Sequence, residues 1–322
     1  MARPPTRHLI ALLLVLGLLG GCTLPPPPGP SPLRYRDAVF SATGVIHDLS
    51  YGSAPGSDGQ PVTLKLDLYQ PSGDKVSRRP AVVYVHGGGF CCGDKSAGAS
   101  FATYFAQRGY VAASINYRLL APEGCGGQAN PSQTCIDAAL AAQHDAQAAV
   151  RWLRARATAY RIDPDRIAIA GASAGAVTSL LVDWRKEDPG TSGNPGYSSA
   201  VRAAVSISGG TPTNEFITSD DAPAIFFHGT EDRTVPYSWA IQNAAAMVGL
   251  GIPVFFEPFE GVGHGLVQAG FGDVIYQQSN YFLYAMLDLG RAEGQSAAAA
   301  RAAERYKRRL RREYRRLRAF YR

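Results

Sequence analysis

The stretch RIAIAGASAGAVTSLLVDW, residues 166–184, decides the fold of this chain. It opens with an apolar run of strand length, Arg166–Ala170, passes through Gly171-Ala172-Ser173-Ala174-Gly175, and continues with helical periodicity. The G-x-S-x-G pattern alone is weak, because glycine and serine are common residues. A strand before it and a helix after it make the pattern typical of a nucleophile elbow. We therefore predict that Ser173 lies on a tight turn, with its hydroxyl at a helix N-terminus.

Further strand-length apolar runs recur along the chain and alternate with helix-period segments. Val62–Tyr69 alternates apolar and polar residues, which predicts a half-buried antiparallel strand. The other runs are continuous, as in strands covered on both faces. The predicted strands are Ala81–Val85, Tyr110–Ile115, Arg166–Ala170, Ala203–Ile207, Ala224–Phe227 and Val254–Phe256, and the predicted helices are about 98–108, 136–160, 174–185, 237–249 and 272–289. This alternation predicts an α/β domain with a mostly parallel central sheet and helices on both faces.

A second motif, His86-Gly87-Gly88-Gly89-Phe90, follows the predicted strand Ala81–Val85. It is rarer by chance than G-x-S-x-G, because histidine is infrequent and three glycines must follow it. A run of glycines leaves backbone N–H groups free to face a developing oxyanion, with no side chains in the way. The motif therefore predicts an oxyanion hole.

A serine hydroxyl needs a base near neutral pH, and His264 is the best placed of six histidines. His264 lies in a glycine-rich loop after the last apolar strand, where a side chain can reach the elbow. The others lie in the leader, in the N-terminal segment, in the glycine loop, in a helix or at a strand end: His8, His47, His86, His144 and His228.

The base in turn needs a carboxylate that holds its tautomer. Asp232 follows the predicted strand Ala224–Phe227 and is the preferred candidate, with the adjacent Glu231 as the alternative. Asp220 and Asp221 precede that strand and should lie at the other end of the sheet. Asp273 opens the last predicted helix of the body and is better explained as a cap.

The order Ser173, Asp232, His264 is the chain order of the α/β-hydrolases. Residues 45–290 resemble α/β-hydrolase carboxylesterases of the hormone-sensitive-lipase-like and feruloyl-esterase-like groups. The matching segments are His86–Phe90, Gly171–Gly175, His228–Pro236, Gly263–Gly265 and Tyr117–Glu123, the last being similar to Y-R-L-A-P-E with one extra residue. The resemblance implies that the backbone N–H groups of Gly88, Gly89 and Ala174 form the oxyanion hole. The chain departs from these groups at Ala172, where lipase-like members often carry Asp, and at Cys91-Cys92.

The expected function is therefore hydrolysis of a small to medium carboxylic ester through an acyl-enzyme on Ser173. This chemistry requires no metal or organic cofactor. Two alternatives remain open at this point: a serine peptidase on the same fold, and a non-catalytic binding module tethered to a membrane.

The N-terminal residues predict export. Arg3 and Arg7 precede an apolar run, Leu9–Leu19, that is too short to span a bilayer, which is typical of a signal peptide over residues 1–21. The run ends in Leu19-Gly20-Gly21-Cys22, which resembles the lipobox of bacterial lipoproteins. Cys22 would then be lipidated in the cell envelope, and Thr23 favours the outer membrane of a Gram-negative cell. Ordinary cleavage without lipidation is the alternative.

Two flanking segments complete the predicted organisation around a catalytic domain at 35–290. Proline-rich residues 22–34 predict a semi-rigid tether that holds the body away from the lipid surface. Residues 291–322 predict a basic amphipathic tail, since positions 301–322 carry eleven Lys or Arg and two Glu, a net charge of +9. The tail would dock on anionic lipid, remain solvated or bind a protein. With +2 in residues 1–22, the total of +6 leaves −5 for residues 23–300, which argues against nucleic-acid binding by the body.

Four cysteines remain besides Cys22, and in an oxidising compartment they allow three disulfide pairings. We favour two bridges that clamp the segment Cys125–Cys135 beside the glycine loop, joining it to Cys91 and Cys92. A zinc site is the alternative. The long loop 119–136 that holds two of these cysteines is predicted to be a lid or a wall of the site.

Overall fold

The computed structural model describes residues 23–127 and 130–320, and its centre is one eight-stranded sheet. The strand order is β1-β2-β4-β3-β5-β6-β7-β8, in which β2 runs antiparallel to both of its neighbours and all other pairs are parallel. The strands are β1 (Thr43–Pro55), β2 (Pro61–Pro71), β3 (Arg79–Val85), β4 (Val111–Ile115), β5 (Ile162–Ala172), β6 (Ala204–Ile207), β7 (Ala224–Gly229) and β8 (Val254–Phe259).

Helices cover both faces of this sheet. The α-helices of the described residues are α1 (Ala99–Ala106), α2 (Gln133–Ala155), α3 (Ala174–Trp184), α4 (Tyr237–Leu250), α5 (Gly272–Met286) and α6 (Ala297–Phe320). One hydrophobic cluster joins α2, α3 and α4 to one face, and a second joins α1, α5 and α6 to the other. This is the α/β-hydrolase fold, and the predicted fold class is confirmed.

The double covering explains why the central strands are continuous apolar runs. In β3, Val83 and Val85 contribute to the first cluster, while Val82 and Tyr84 contribute to the second. Successive side chains of a strand point to opposite faces, so a strand buried on both sides has no position left for a polar residue. The seven predicted strands are all present. β1 was not predicted, because this edge strand is largely exposed and its sequence contains no apolar run.

The N-terminal segment corrects the prediction of a stand-off tether. Leu24 is buried, and its backbone N–H donates to Gln278 Oε1 of α5 at 2.5 Å. Pro25 accepts a hydrogen bond from the Tyr306 hydroxyl of α6 at 2.8 Å, and Leu33 is buried in the same cluster. Residues 23–37, named here the strap, therefore lie on the body. Their buried leucines, Leu24 and Leu33, pack in the second hydrophobic cluster.

Helix α6 confirms the predicted helical tail, and part of its apolar side packs against the body. Ala303, Tyr306 and Leu310 are buried against the body. Near Gly290, the backbone approaches so closely that an added Cβ would overlap Ala303. In the described residues, no helix has both the length and the apolar character needed to cross a bilayer.

Candidate active site

Ser173 lies at the carboxyl end of β5, on the turn that leads into α3, as predicted. Its backbone has φ 54° and ψ −123°, a conformation that side-chain-bearing residues rarely adopt. The flanking glycines are required sterically: a Cβ at Gly171 would overlap the Gly175 carbonyl, and a Cβ at Gly175 would overlap the carbonyls of Val85 and His86. The turn thus brings α3 against β3 and exposes the serine at the sheet edge.

His264 and Asp232 complete the predicted constellation. The loop after β8 places His264 Nε2 at 2.7 Å from Ser173 Oγ, and His264 Nδ1 at 2.7 Å from Asp232 Oδ2. Ser208 Oγ donates to the His264 carbonyl at 2.7 Å, which fixes the backbone of the loop. The three side chains come from the carboxyl ends of β5, β7 and β8, where parallel strands bring sequence-distant residues together.

Asp232 is buried and saturated with donors. Its Oδ1 accepts the backbone N–H groups of Thr234 at 2.9 Å and Val235 at 3.0 Å. Burial alone would raise the pKa of the Asp232 carboxyl, but the hydrogen bonds from His228 and His264 outweigh burial and hold this pKa well below its usual range. Asp232 is therefore ionised at neutral pH and is a suitable partner for a protonated His264.

His228 is a site residue that sequence reasoning missed. It is fully buried, and its Nε2 lies 3.0 Å from the Val235 carbonyl and 3.1 Å from Asp232 Oδ2. The signal was available in the spacing, since a histidine four residues before the acid at a strand end can turn back onto it. Through these two contacts His228 holds both ends of the turn 232–235 in place.

The remaining acid candidates lie elsewhere. Glu231 is exposed, whereas Asp232 is buried, which decides between the two neighbours. Asp220 and Asp221 pair with Lys186 before β7 begins, and Asp273 lies in the first turn of α5. Of the other histidines, His47 is on β1 beside Asp67 and His144 is on α2 beside Asp188.

The glycine loop lies against the elbow, as an oxyanion hole requires. A Cβ at Gly87 would come within 3.1 Å of the Ser173 Cβ. Gly88 and Gly89 have φ of 120° and 59°, and a Cβ at Gly88 would overlap the Cys92 carbonyl. Among the described residues, no acceptor is bonded to the N–H of Gly88, Gly89 or Ala174. Ala174 is the first residue of α3, so its N–H has no acceptor within that helix.

His86 supports this loop from below. Its ring is buried, stacks on Tyr117 with ring centroids 4.5 Å apart, and places Nδ1 at 2.6 Å from the Gly87 carbonyl. Burial lowers the pKa of His86. The Tyr117 hydroxyl donates to the His86 carbonyl at 3.1 Å. The Tyr117–Glu123 segment thus helps to hold the glycine loop in place.

A cavity of about 220 Å³ opens beside Ser173. Its apolar walls include Phe90, Val177, Leu181, Phe216 and Trp239. The described part of the long loop also lines the cavity, so of the two predicted roles it has that of a wall; its lining residues are Cys125, Gly126, Pro131, Cys135 and Ile136. Two hydrogen bonds tie this wall to the glycine loop, from Cys125 N–H to the Gly89 carbonyl at 2.9 Å and from Ala121 N–H to the Phe90 carbonyl at 3.1 Å.

The disulfides correct the favoured pairing. The adjacent residues Cys91 and Cys92 are bonded to each other, and Cys125 is bonded to Cys135 with the Cα atoms 5.7 Å apart. The clamp between loop and wall is thus made by backbone hydrogen bonds and not by sulfur. All four thiols are consumed in disulfides, so the zinc alternative for these cysteines is wrong.

This geometry defines the class: an α/β-hydrolase with a serine, histidine and aspartate at the carboxyl edge of its sheet. Within that class, a family model described as BD-FAE matches residues 66–214. That segment carries the glycine loop and the elbow, and the expected likeness to hormone-sensitive-lipase-like and feruloyl-esterase-like proteins is confirmed. Asp232 and His264 lie beyond the matched segment.

Curated relatives point the same way. The chain is 30% identical over 188 residues to a "Probable carboxylic ester hydrolase LipM" of Mycobacterium tuberculosis, covering 56% of this chain and 38% of that protein. It is 29% identical over 174 residues to a "Probable isoprenylcysteine alpha-carbonyl methylesterase ICMEL1" of Oryza sativa subsp. japonica, covering 53% and 36%. The chain thus spans less than two fifths of the length of these relatives.

Solved structures match over more of the chain. Esterase 2 of Thermogutta terrifontis with bound propionate has a TM-score of 0.61 at 26% identity, covering 82% of this chain and all of that one. The same esterase phosphorylated by paraoxon has a TM-score of 0.61 at 28% identity, with the same coverage. The fold is therefore shared with a whole esterase.

Proposed function

We propose that this chain hydrolyses carboxylic esters, with Ser173 as nucleophile, His264 as general base and acid, and Asp232 as the carboxylate partner. The observation that carries the proposal is the pair of 2.7 Å contacts that joins the three side chains in the required order. Ester hydrolases and esterases among the relatives and structural neighbours support it.

In the first half-reaction, the Ser173 hydroxyl attacks the ester carbonyl carbon as its proton passes to His264 Nε2. The carbonyl oxygen becomes an oxyanion, which would accept hydrogen bonds from the N–H groups of Gly88, Gly89 and Ala174. Removing one such donor typically lowers kcat by about 100- to 1,000-fold. His264 then protonates the leaving alcohol as the C–O bond breaks, which leaves an acyl-serine.

In the second half-reaction, water gives a proton to His264 and adds to the acyl carbon. Collapse of the tetrahedral intermediate breaks the bond to Ser173 Oγ, which recovers its proton from His264, and the acid leaves. Asp232 stays ionised throughout, because the low pKa of its carboxyl leaves no proton acceptor role for it near neutral pH. Its part is to accept the hydrogen bond from His264 Nδ1–H and to stabilise the imidazolium.

The cavity argues for a short acyl chain or a single aromatic ring. Its volume of about 220 Å³ is below the range of about 300–1,000 Å³ usual for drug-sized ligands. Structures of the Thermogutta terrifontis esterase with bound propionate and bound butyrate agree with a preference for short acyl groups.

The test is hydrolysis of p-nitrophenyl esters of increasing chain length by the full chain, by Ser173→Ala, and by Ser72→Ala as a control at an exposed serine. We expect turnover of short chains that the control retains and Ser173→Ala loses. Paraoxon should phosphorylate the parent at Ser173 with loss of p-nitrophenolate, as detected by peptide mass spectrometry. Equal turnover by Ser173→Ala would refute the assignment of the nucleophile.

We further propose export of the chain and lipid attachment at Cys22, which lies outside the described residues. The support is the apolar run Leu9–Leu19 and the Leu19–Cys22 sequence. Metabolic labelling with palmitate should mark the parent and not Cys22→Ala. Labelling of both chains would show that the lipid, if any, is attached elsewhere.

A further inference from the structure

We infer that one side of helix α6 is an electrostatic docking surface for an anionic phospholipid bilayer, on which the body rests without inserting. The surface is a row of five exposed arginines, named here the arginine stripe: Arg301, Arg305, Arg308, Arg312 and Arg315. The inference is independent of the proposed ester hydrolysis.

The stripe follows from helical geometry. Its members are spaced by four, three, four and three residues, which keeps them on one side of a helix with 3.6 residues per turn. From Arg301 to Arg315 the helix rises through fourteen steps, so the row is about 21 Å long. Among the described residues, none of the five is ion-paired with a carboxylate, whereas Glu304 of the same helix pairs with Arg291. The stripe is therefore a continuous positive surface.

The opposite side of α6 determines how the stripe is presented. Ala303, Tyr306 and Leu310 are buried against the body, so these apolar side chains are not available to insert into lipid. Packing instead holds the arginines outward on a rigid support. Guanidinium groups bind phosphate through paired N–H donors, which suits them to lipid headgroups.

Two features favour a bilayer over another polyanion. Leu24 and Pro25 are bonded to α5 and α6, so a lipid attached at residue 22 would leave the body within two residues of Leu24, beside this helix. The charge of the chain is also divided, with +9 in residues 301–322 against −5 in residues 23–300. An anionic surface would attract α6 and repel the rest, which orients the body.

The experiment compares three full-length chains: the parent, a stripe variant with Arg305→Gln, Arg308→Gln and Arg312→Gln, and a control with Lys65→Gln, Lys75→Gln and Arg156→Gln. The control removes the same charge at exposed positions elsewhere. All three keep the same N-terminus, so any contribution of residues 1–22 cancels. The measured quantity is the ratio of affinities for phosphatidylcholine vesicles with and without about one-third phosphatidylglycerol, at about 50 mM and about 500 mM salt.

Each basic residue near an anionic surface strengthens binding by about fivefold. We expect the stripe variant to lose about 10- to 100-fold of the parent's preference for anionic vesicles, and the control to lose less than about threefold. High salt should abolish the preference in all three chains. Ester hydrolysis in solution should be equal in all three, which shows that the variants are folded.

Three outcomes would overturn the inference. The stripe variant could keep the parent's preference, the preference could survive high salt, or double-stranded DNA at matched phosphate could displace the parent from anionic vesicles. The last result would identify a general polyanion surface in place of a bilayer surface.

Discussion

Two regions of this molecule are held in place by different kinds of interaction. The first, named here the catalytic edge after its proposed function, consists of the loops after β3, β5, β7 and β8. It is held by backbone geometry: glycines that admit no Cβ, a strained serine and N–H groups bonded to one carboxylate. The terminal segments, residues 23–37 and α6, are held by side chains such as Leu24, Tyr306 and Leu310 that fill gaps between helices. Backbone geometry of this sort requires particular residue types and is therefore visible as sequence motifs, whereas side-chain packing between helices is not.

The largest expected effect is at the acid of the catalytic edge. In Asp232→Asn, the two backbone N–H groups of Thr234 and Val235 would keep the amide oxygen on their side, so the NH₂ group would face His264. His264 Nδ1 must then accept, which leaves the proton on Nε2 and prevents that atom from accepting the Ser173 proton. We expect kcat for a short p-nitrophenyl ester to fall by about 10⁴-fold.

The control for this change is Asp221→Asn, another buried aspartate, bonded to Lys186 and Thr218 away from the site. It should keep kcat within about threefold of the parent. A loss of less than about tenfold in Asp232→Asn would mean that the carboxylate does not set the tautomer of His264.

The next effect tests the backbone of the same edge. In Gly175→Ala the new Cβ would overlap the carbonyls of Val85 and His86, so α3 must move away from β3. We expect a loss of about 3 kcal/mol in the free energy of unfolding, measured with urea, together with a fall in kcat of at least about 100-fold.

Gly249→Ala on α4 is the matched control, because nothing lies within 4 Å of its added Cβ. Within a helix this replacement should stabilise the protein by up to about 1 kcal/mol. If Gly175→Ala left both stability and kcat unchanged, the close approach of α3 to β3 could not be what holds the elbow.

The contrasting prediction concerns the terminal segments. Leu310→Ala on α6 removes a buried side chain far from Ser173 and should lower the free energy of unfolding by about 2–4 kcal/mol. Because none of the described side chains of α6 lines the cavity beside Ser173, kcat measured well below the unfolding transition should stay within about twofold of the parent. Arg308→Ala, exposed on the same helix, should change stability by less than about 0.5 kcal/mol. A large fall in kcat for Leu310→Ala would show that the two regions are coupled.

The same contrast explains what the sequence could predict. The elbow, the glycine loop and the trio Ser173, Asp232 and His264 could be predicted because each needs a particular residue type at a strand end. For His228 the only sequence signal is its spacing of four residues from Asp232, since the histidine by itself looks like any other at a strand end. The disulfide pairing could not be predicted, since it depends on distances that the fold sets and the spacing does not. The strap at residues 23–37 was misjudged because proline content predicts stiffness but not where a stiff segment lies.

The smallest expected effect lies in that strap, at Asp37, whose carboxylate accepts the Leu33 N–H at 2.7 Å and pairs with Arg36 at 2.7 Å. The hydrogen bond from Arg36 comes first among the causes that lower the pKa of Asp37 to about 2. Because the folded pKa is below the unfolded value of about 3.9, the contribution of Asp37 is present above pH 4 and is lost as pH falls towards 2. It should be worth no more than about 1 kcal/mol, since the ion pair is partly exposed to solvent. Hydrogen exchange, corrected for intrinsic rates, should show protection of the Leu33 amide declining over that window in the parent but not in Asp37→Asn. A decline of equal size in both chains would mean that another carboxyl group holds the strap in place, and that the acid sensitivity of the terminal segments does not arise from Asp37.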